Sequence, residues 1–265
     1  MELPIYQVDA FATRVFKGNP AAIMPLEQWL PDETLQAIAM ENNLSETAYI
    51  VSADQGYELR WFTPEVEVDL CGHATLAAAH VLFHHLAEGG DLVRFQTRSG
   101  ELRVRRSPRG LTLDFPAAQL VTTQVDAAVS KALGARATSA AIARSNAHSV
   151  VYVFDTHAQV AGLTPDFAAL LAASEHAVIA TAPGDNCDFV SRFFGPSVGI
   201  NEDPVTGSAH CSLVPYWSER LGLTNLLAKQ ISSRGGDLSC EIRDGRVFMT
   251  GTGITYMTGT VLAVA

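Results

Sequence analysis

Cysteine is scarce and scattered. Cys71, Cys187, Cys211 and Cys240 stand far apart with no Cys-x-x-Cys pair, so neither a zinc-finger pattern nor a disulfide framework is expected. Basic charge is also short: 18 Lys and Arg face 28 Asp and Glu, a net charge of −10, which argues against nucleic-acid binding because phosphate neutralisation needs clustered cations. The one basic cluster, Arg103-Val104-Arg105-Arg106-Ser107-Pro108-Arg109-Gly110, reads as a solvated edge strand running into a turn. No apolar run reaches the roughly 18 residues of a membrane span. Met1-Glu2-Leu3-Pro4-Ile5 has neither a charged leader nor an apolar signal region, so a cytoplasmic location away from membranes is expected. The glycine-rich Thr250-Gly251-Thr252-Gly253 lacks the G-x-G-x-x-G pattern, there is no P-loop, and Lys17, Lys131 and Lys229 give no sign of pyridoxal phosphate. No cofactor and no metal is expected, leaving the chemistry to side chains.

What is present is a repeat. Asp69-Leu70-Cys71-Gly72-His73-Ala74-Thr75 runs into an alanine-rich apolar stretch, and Asp203-Pro204-Val205-Thr206-Gly207-Ser208-Ala209-His210-Cys211 does so again. The copies align Gly72 with Gly207 and His73 with Ser208, and Arg60-Trp61-Phe62-Thr63-Pro64 upstream matches Arg192-Phe193-Phe194-Gly195-Pro196. A small turn opening into such a run delivers backbone N–H groups at a helix start, where anions are favoured. Two copies are too few and too long for a solenoid. They predict two similar lobes whose facing helix ends share a cleft.

The chain reads in order as follows. A hairpin opens it, Tyr6–Phe11 and Ala21–Met24 around the turn Phe16-Lys17-Gly18-Asn19-Pro20. A helix starts at Pro31-Asp32-Glu33-Thr34 and ends near Glu41-Asn42-Asn43. Leu44–Val51 is a turn entering a strand, with Glu46 at the entrance. Tyr57–Phe62 is a strand, the helix after Gly72 runs to about Gly89-Gly90, and strands follow at Leu92–Thr97, Glu101–Arg105 and Leu111–Phe115. Pro116-Ala117-Ala118 is the candidate linker, which gives an N-terminal lobe over 1–116 and a C-terminal lobe over 117–265, the last strand being free to cross back. In the second lobe a helical stretch covers Val125–Leu133, strands cover Ser139–Ala143 and Ser149–Phe154, and Thr164-Pro165-Asp166 caps a helix through Phe167–Leu171. Strands follow at Ala177–Thr181 and Phe189–Phe194, and after the Gly207 helix come hairpins over Leu238–Arg243, Val247–Thr250 and Thr260–Val264.

Among the chemical residues, Glu46 reads as a surface carboxylate or, in an apolar cleft that raises its pKa, as a general acid or base. Asp203 reads as a helix N-cap or a cleft residue. His73 can be a structural hydrogen-bonder, or with Ser208 a binder of substrate oxygen or a proton relay. Cys71 lacks the accompanying signals of a nucleophilic thiol. His80, His84 and His85 read as a solvated helix end rather than a metal site.

Together Phe11…Gly18-Asn19-Pro20-Ala21-Ala22, Asn43-Leu44-Ser45-Glu46-Thr47-Ala48, Arg60-Trp61-Phe62-Thr63-Pro64 and the two glycine turns resemble the PhzF isomerase family of phenazine biosynthesis, across almost the whole chain and in order. The resemblance implies the diaminopimelate-epimerase-like fold, an α+β architecture of two pseudo-symmetric lobes, each a strongly curved, mostly antiparallel sheet wrapped around a central helix. It implies that Glu46 is the acid/base, that His73, Asp203 and Ser208 assist it, and that Gly72-His73 and Gly207-Ser208 hold a substrate carboxylate. It also implies a homodimer and no cofactor. Diaminopimelate epimerase uses a thiol from each lobe; here Cys71 matches the first, but no cysteine precedes Gly207. The expected activity is isomerisation of a small carboxylate by proton transfer. The alternatives are a racemase or epimerase acting through Cys71, and a non-catalytic small-molecule binder.

Overall fold

The structure, a computed structural model, describes residues 2–143 and 149–262. The chain divides into two compact units, Met1–Asp114 with Thr250–Ala265, and Phe115–Met249. Each is a strongly curved, mostly antiparallel sheet around a central helix. Among the described residues no helix is long and apolar enough to cross a membrane.

The first unit begins with β1 (Glu2–Ala10), which pairs antiparallel with β2 (Asn19–Leu26). The turn between them requires glycine at position 18. There φ is +67°, and a Cβ would lie 2.1 Å from the Ala10 carbonyl oxygen, a clash that only glycine avoids. Helix α1 (Asp32–Asn42) carries Asp32 and Glu33 in its first turn and stops at Asn43, whose φ of 47° is the left-handed cap that asparagine tolerates. It crosses over to β3 (Glu46–Ala53), which lies parallel to β2 and starts with Glu46 opposite Ala21. Strands β4 (Gly56–Phe62), β5 (Glu67–Val68), β6 (Leu92–Thr97), β7 (Gly100–Ser107) and β8 (Gly110–Pro116) complete its main run. β4 pairs antiparallel with β3 and β5 and parallel with β6. β7 lies between β6 and β8, so the expected basic edge strand is an interior strand with its arginines solvated: Arg103 pairs with Glu101, and Arg106 lies over the Phe83 ring.

Helix α2 (Gly72–His84) is the unit's centre. Every residue from Gly72 through Phe83 is buried, as required of a helix enclosed by a sheet and apolar on all sides. Its alanines at 74, 77, 78 and 79 let the strands approach closely. It ends at His84 rather than near Gly89-Gly90, and Ala87 just beyond it takes a left-handed conformation at φ 54°.

The second unit repeats the plan. β9 (Leu120–Thr123), α3 (Ala127–Leu133), β10 (Ser139–Ala143) and β11 (Ser149–Val153) lead, through α4 (His157–Ala161) and α5 (Phe167–Ala173), to β12 (Ala177–Pro183). β11 and β12 are parallel, as β2 and β3 are. β13 (Phe189–Gly195) pairs antiparallel with β12 and with β14 (Ile200–Asp203), and parallel with β15 (Asn225–Gln230). The pairings of β4 with β3, β5 and β6 thus recur one for one. β16 (Gly236–Arg243) pairs with β15, and β17 (Arg246–Gly251) follows. The last strand, β18 (Gly253–Leu262), pairs antiparallel with β1 in the first unit; residues 263 and 264 of the strand expected over Thr260–Val264 lie outside the described residues.

The central helix here is α6 (Gly207–Leu221). Its Pro215 has no N–H for the Cys211 carbonyl, as proline in a helix interior dictates. The Ala118 N–H donates to that carbonyl instead, at 2.9 Å. Trp217 stacks on Phe189 at 5.9 Å and donates its indole N–H to the Thr181 hydroxyl at 2.9 Å.

Candidate active site

The site residues of the first unit converge on the start of α2. Residue 46 opens β3 beside β2, and residues 71 and 73 flank the first residue of α2. Glu46 is 9% exposed and His73 4%, so the surface-carboxylate reading of Glu46 is overturned. Glu46 Oε2 lies 3.0 Å from His73 Nε2. Neither atom has a partner of hydrogen-bonding geometry: they face each other as an ion pair that is close but imperfectly aligned. On the other edge of the ring, Nδ1 is 3.1 Å from the Asn19 amide nitrogen and 3.5 Å from Cys71 Sγ. Ser45 donates weakly to Asn19 Oδ1 at 3.4 Å.

Burial works against a charge on His73, but Cys71 and Glu46 outweigh it and hold its pKa well above the ordinary value. For Cys71 burial dominates, and with the Glu46 charge it pushes the thiol up to about 11 against the opposing effect of His73. At neutral pH Glu46 therefore faces an imidazolium at His73 and a neutral thiol at Cys71. The Asn19 amide lies against Nδ1; an amide offers NH2 to a neutral ring nitrogen and its oxygen to an imidazolium N–H. Sequence reasoning quoted Asn19 in a motif but gave it no role.

In the second unit Asp203 ends β14 and is buried. It does not cap α6. The N-cap is Thr206, which makes no capping hydrogen bond and donates its hydroxyl to Asp203 Oδ2 instead. Gln230, which the sequence did not signal, locks this turn: its amide donates to the Asp203 carbonyl at 2.8 Å and to the Thr206 hydroxyl at 3.1 Å, and its Oε1 accepts the Thr206 N–H at 2.8 Å. Gly207 is buried and Ser208 exposed in the first turn of α6. His80 and His85 share the Thr255 hydroxyl, at 2.9 and 2.8 Å; His80 is buried rather than solvated.

The repeat is also kept in chemistry. Arg60 grips Glu67 through Nε and Nη2, both at 2.7 Å, with its guanidinium 5.1 Å from the Phe62 ring. Arg192 grips Glu202 at 2.7 and 2.9 Å and lies 4.9 Å from Phe194. Such bidentate pairs fix geometry, here anchoring the strand that leads into each glycine turn. The two glutamates stand five residues before Gly72 and Gly207, a signal available from the repeat but not used.

A hydroxyproline epimerase from Agrobacterium vitis shares the fold, with a TM-score of 0.59 at 12% identity, over 98% of this chain and 92% of its own, a likeness of fold alone. The sequence model of the PhzC-PhzF family, described as phenazine biosynthesis-like protein, matches residues 8–259, and the chain belongs to that family. An uncharacterized isomerase of Pseudomonas aeruginosa is 53% identical over 98% of this chain and 99% of its own. The phenazine biosynthesis-like domain-containing protein of Homo sapiens is 39% identical over 99% and 100%. A PhzF-family crystal structure from Enterococcus faecalis superposes with a TM-score of 0.95 at 47% identity, over 99% and 100%. The protein is an isomerase.

Proposed function

We propose that this isomerase acts on a small carboxylate metabolite without a cofactor, using Glu46 as the group that takes a proton from carbon and returns it elsewhere on the same substrate. The observation that carries the reading is the buried Glu46–His73 pair, 3.0 Å apart, at the first turn of α2. His73, held as an imidazolium, sets a positive charge beside the Glu46 carboxyl group that takes the proton. The substrate C–H bond breaks, its electron pair spreads into the adjacent carboxylate or conjugated system, and an O–H bond forms on Glu46. Delivery of that proton to another carbon completes the isomerisation. A positioned acid/base of this kind contributes roughly 10²–10⁴ in rate. The first-turn N–H groups of α2, which no side chain caps, favour the substrate's negative charge. Asp203, Gly207 and Ser208 are assigned to the same reaction on the strength of the sequence repeat and the family resemblance.

The reading through Cys71 is the weaker one, because a thiol pushed up to about 11 is protonated at neutral pH and a poor base. The test is exchange of carbon-bound protons for deuterium in heavy water, followed by NMR over a panel of small carboxylates with protein dialysed against chelator. Wild-type protein exchanges one of them; Glu46→Gln loses the exchange and Asp203→Asn slows it. Exchange undiminished in Glu46→Gln would refute the assignment. Ligand binding without exchange in either protein would establish a binding role.

A further inference from the structure

Glu46, Cys71 and His73 also form the donor set of a soft metal site. One ligand atom from each residue, an oxygen, a sulfur and a ring nitrogen, lies within 4.8 Å of the other two, and all three residues are buried. Glu46 Oε2 and His73 Nε2 are buried, and beyond their own ion pair neither has a hydrogen-bond partner. Zinc bonds of roughly 2.0–2.3 Å to oxygen, nitrogen and sulfur set tetrahedral donor separations near 3.3–3.7 Å. The 3.5 Å between Cys71 Sγ and His73 Nδ1 falls inside that range, and the 3.0 Å between Glu46 Oε2 and His73 Nε2 lies just below it. The two contacts are to different ring nitrogens, so binding one metal requires a side-chain rotation that brings carboxylate and sulfur to the same nitrogen.

We propose that Glu46, Cys71 and His73 bind one Zn2+, or a divalent ion of similar softness, which occupies the carboxylate on which proton transfer depends. Charge favours it. With the Cys71 and His73 protons released to solvent, two negative ligands and one neutral imidazole leave Zn2+ with no net charge, which lowers the burial cost. Three protein ligands leave a fourth position for water or a carboxylate oxygen. Ligation itself is independent of the function proposed above; inhibition by the metal rests on it.

The test uses full-length protein and Co2+ alone as the probe, titrated in buffer free of other metals. The expected result is one Co2+ per chain with a near-ultraviolet sulfur-to-cobalt charge-transfer band. Cys71→Ser abolishes the band, whereas His85→Ala, in the other histidine cluster, leaves it unchanged. A saturating titration without the band, or a band that survives in Cys71→Ser, overturns the proposal. Should Cys71→Ser fail to fold, X-ray absorption on the zinc-loaded wild type decides: one sulfur ligand supports the site and none overturns it. The band reports ligation and deuterium exchange reports proton transfer, so failure of one reading leaves the other standing.

Discussion

The buried histidines make the protein acid-sensitive in a way that one substitution isolates. His210, 0% exposed on α6, donates Nδ1–H to the Thr206 carbonyl at 2.8 Å, and its Nε2 has no hydrogen-bond partner. Burial pushes its pKa from 6.5 down to about 4 against the opposing backbone hydrogen bond. Its folded value thus lies below the unfolded one. The native state resists a proton that the unfolded chain accepts, so stability is present above pH 6.5 and is lost as pH falls from there through about 4. Linkage over that shift gives a loss of about 2 kcal/mol between ~pH 7 and ~pH 5 from this one residue. The assay is urea denaturation at both pH values for wild type and His210→Gln, whose amide can keep the bond to Thr206. Carboxylates shared by both proteins drop out of the difference. The variant loses about 2 kcal/mol less than wild type on acidification; parallel losses would refute the reasoning, because His210 would then take up its proton in the folded state.

The opposite sign holds at His73, whose folded pKa is raised: its stabilisation is full below the unfolded value of 6.5 and is lost as pH rises through the folded one, so melts against pH decline on the alkaline side for wild type and flatten in His73→Gln. Ala118→Pro removes the N–H that satisfies the Cys211 carbonyl and costs about 1–3 kcal/mol. In a Pro215→Ala background, where the helix supplies its own donor, the cost measured by urea denaturation is smaller; equal costs would mean backbone strain at 118 rather than a lost hydrogen bond.

Local signals were legible where they coincided with tertiary demands. The Asn43 stop, the start of β3 at Glu46 and the helix starts at Gly72 and Gly207 are where turn and capping chemistry put them. Elements created by distant pairing were not. β18 was expected only over its final residues, because exposed Tyr256 through Thr260 show no alternation; its strand is made by β1 at the other end of the chain. α4 is only five residues long, too short for an apolar period, although its Thr156–Gln159 capping box was readable. Charge pattern alone could not tell that β7 has neighbours on both sides. At the site, Glu46 and His73 could be named, but their 3.0 Å approach and the parts played by Asn19 and Gln230 depend on strands that meet only in the fold.

The repeat separates scaffold from chemistry more sharply than the fold does. With Gly72 set on Gly207, Thr75 falls on His210, and each bonds back to the carbonyl of its helix N-cap, Cys71 and Thr206 respectively. The Arg–Glu clamps and the pairings around β4 and β13 are likewise duplicated. What differs is the set of groups at the turn: a thiol and an imidazole at 71 and 73, two hydroxyls at 206 and 208. A symmetric two-base reaction needs matching groups at matching positions, and this chain keeps the matching frame without them. One carboxylate that both removes and returns the proton needs no such match. That asymmetry is a reason, independent of the Cys71 pKa, to favour isomerisation through Glu46 over racemisation by paired thiols.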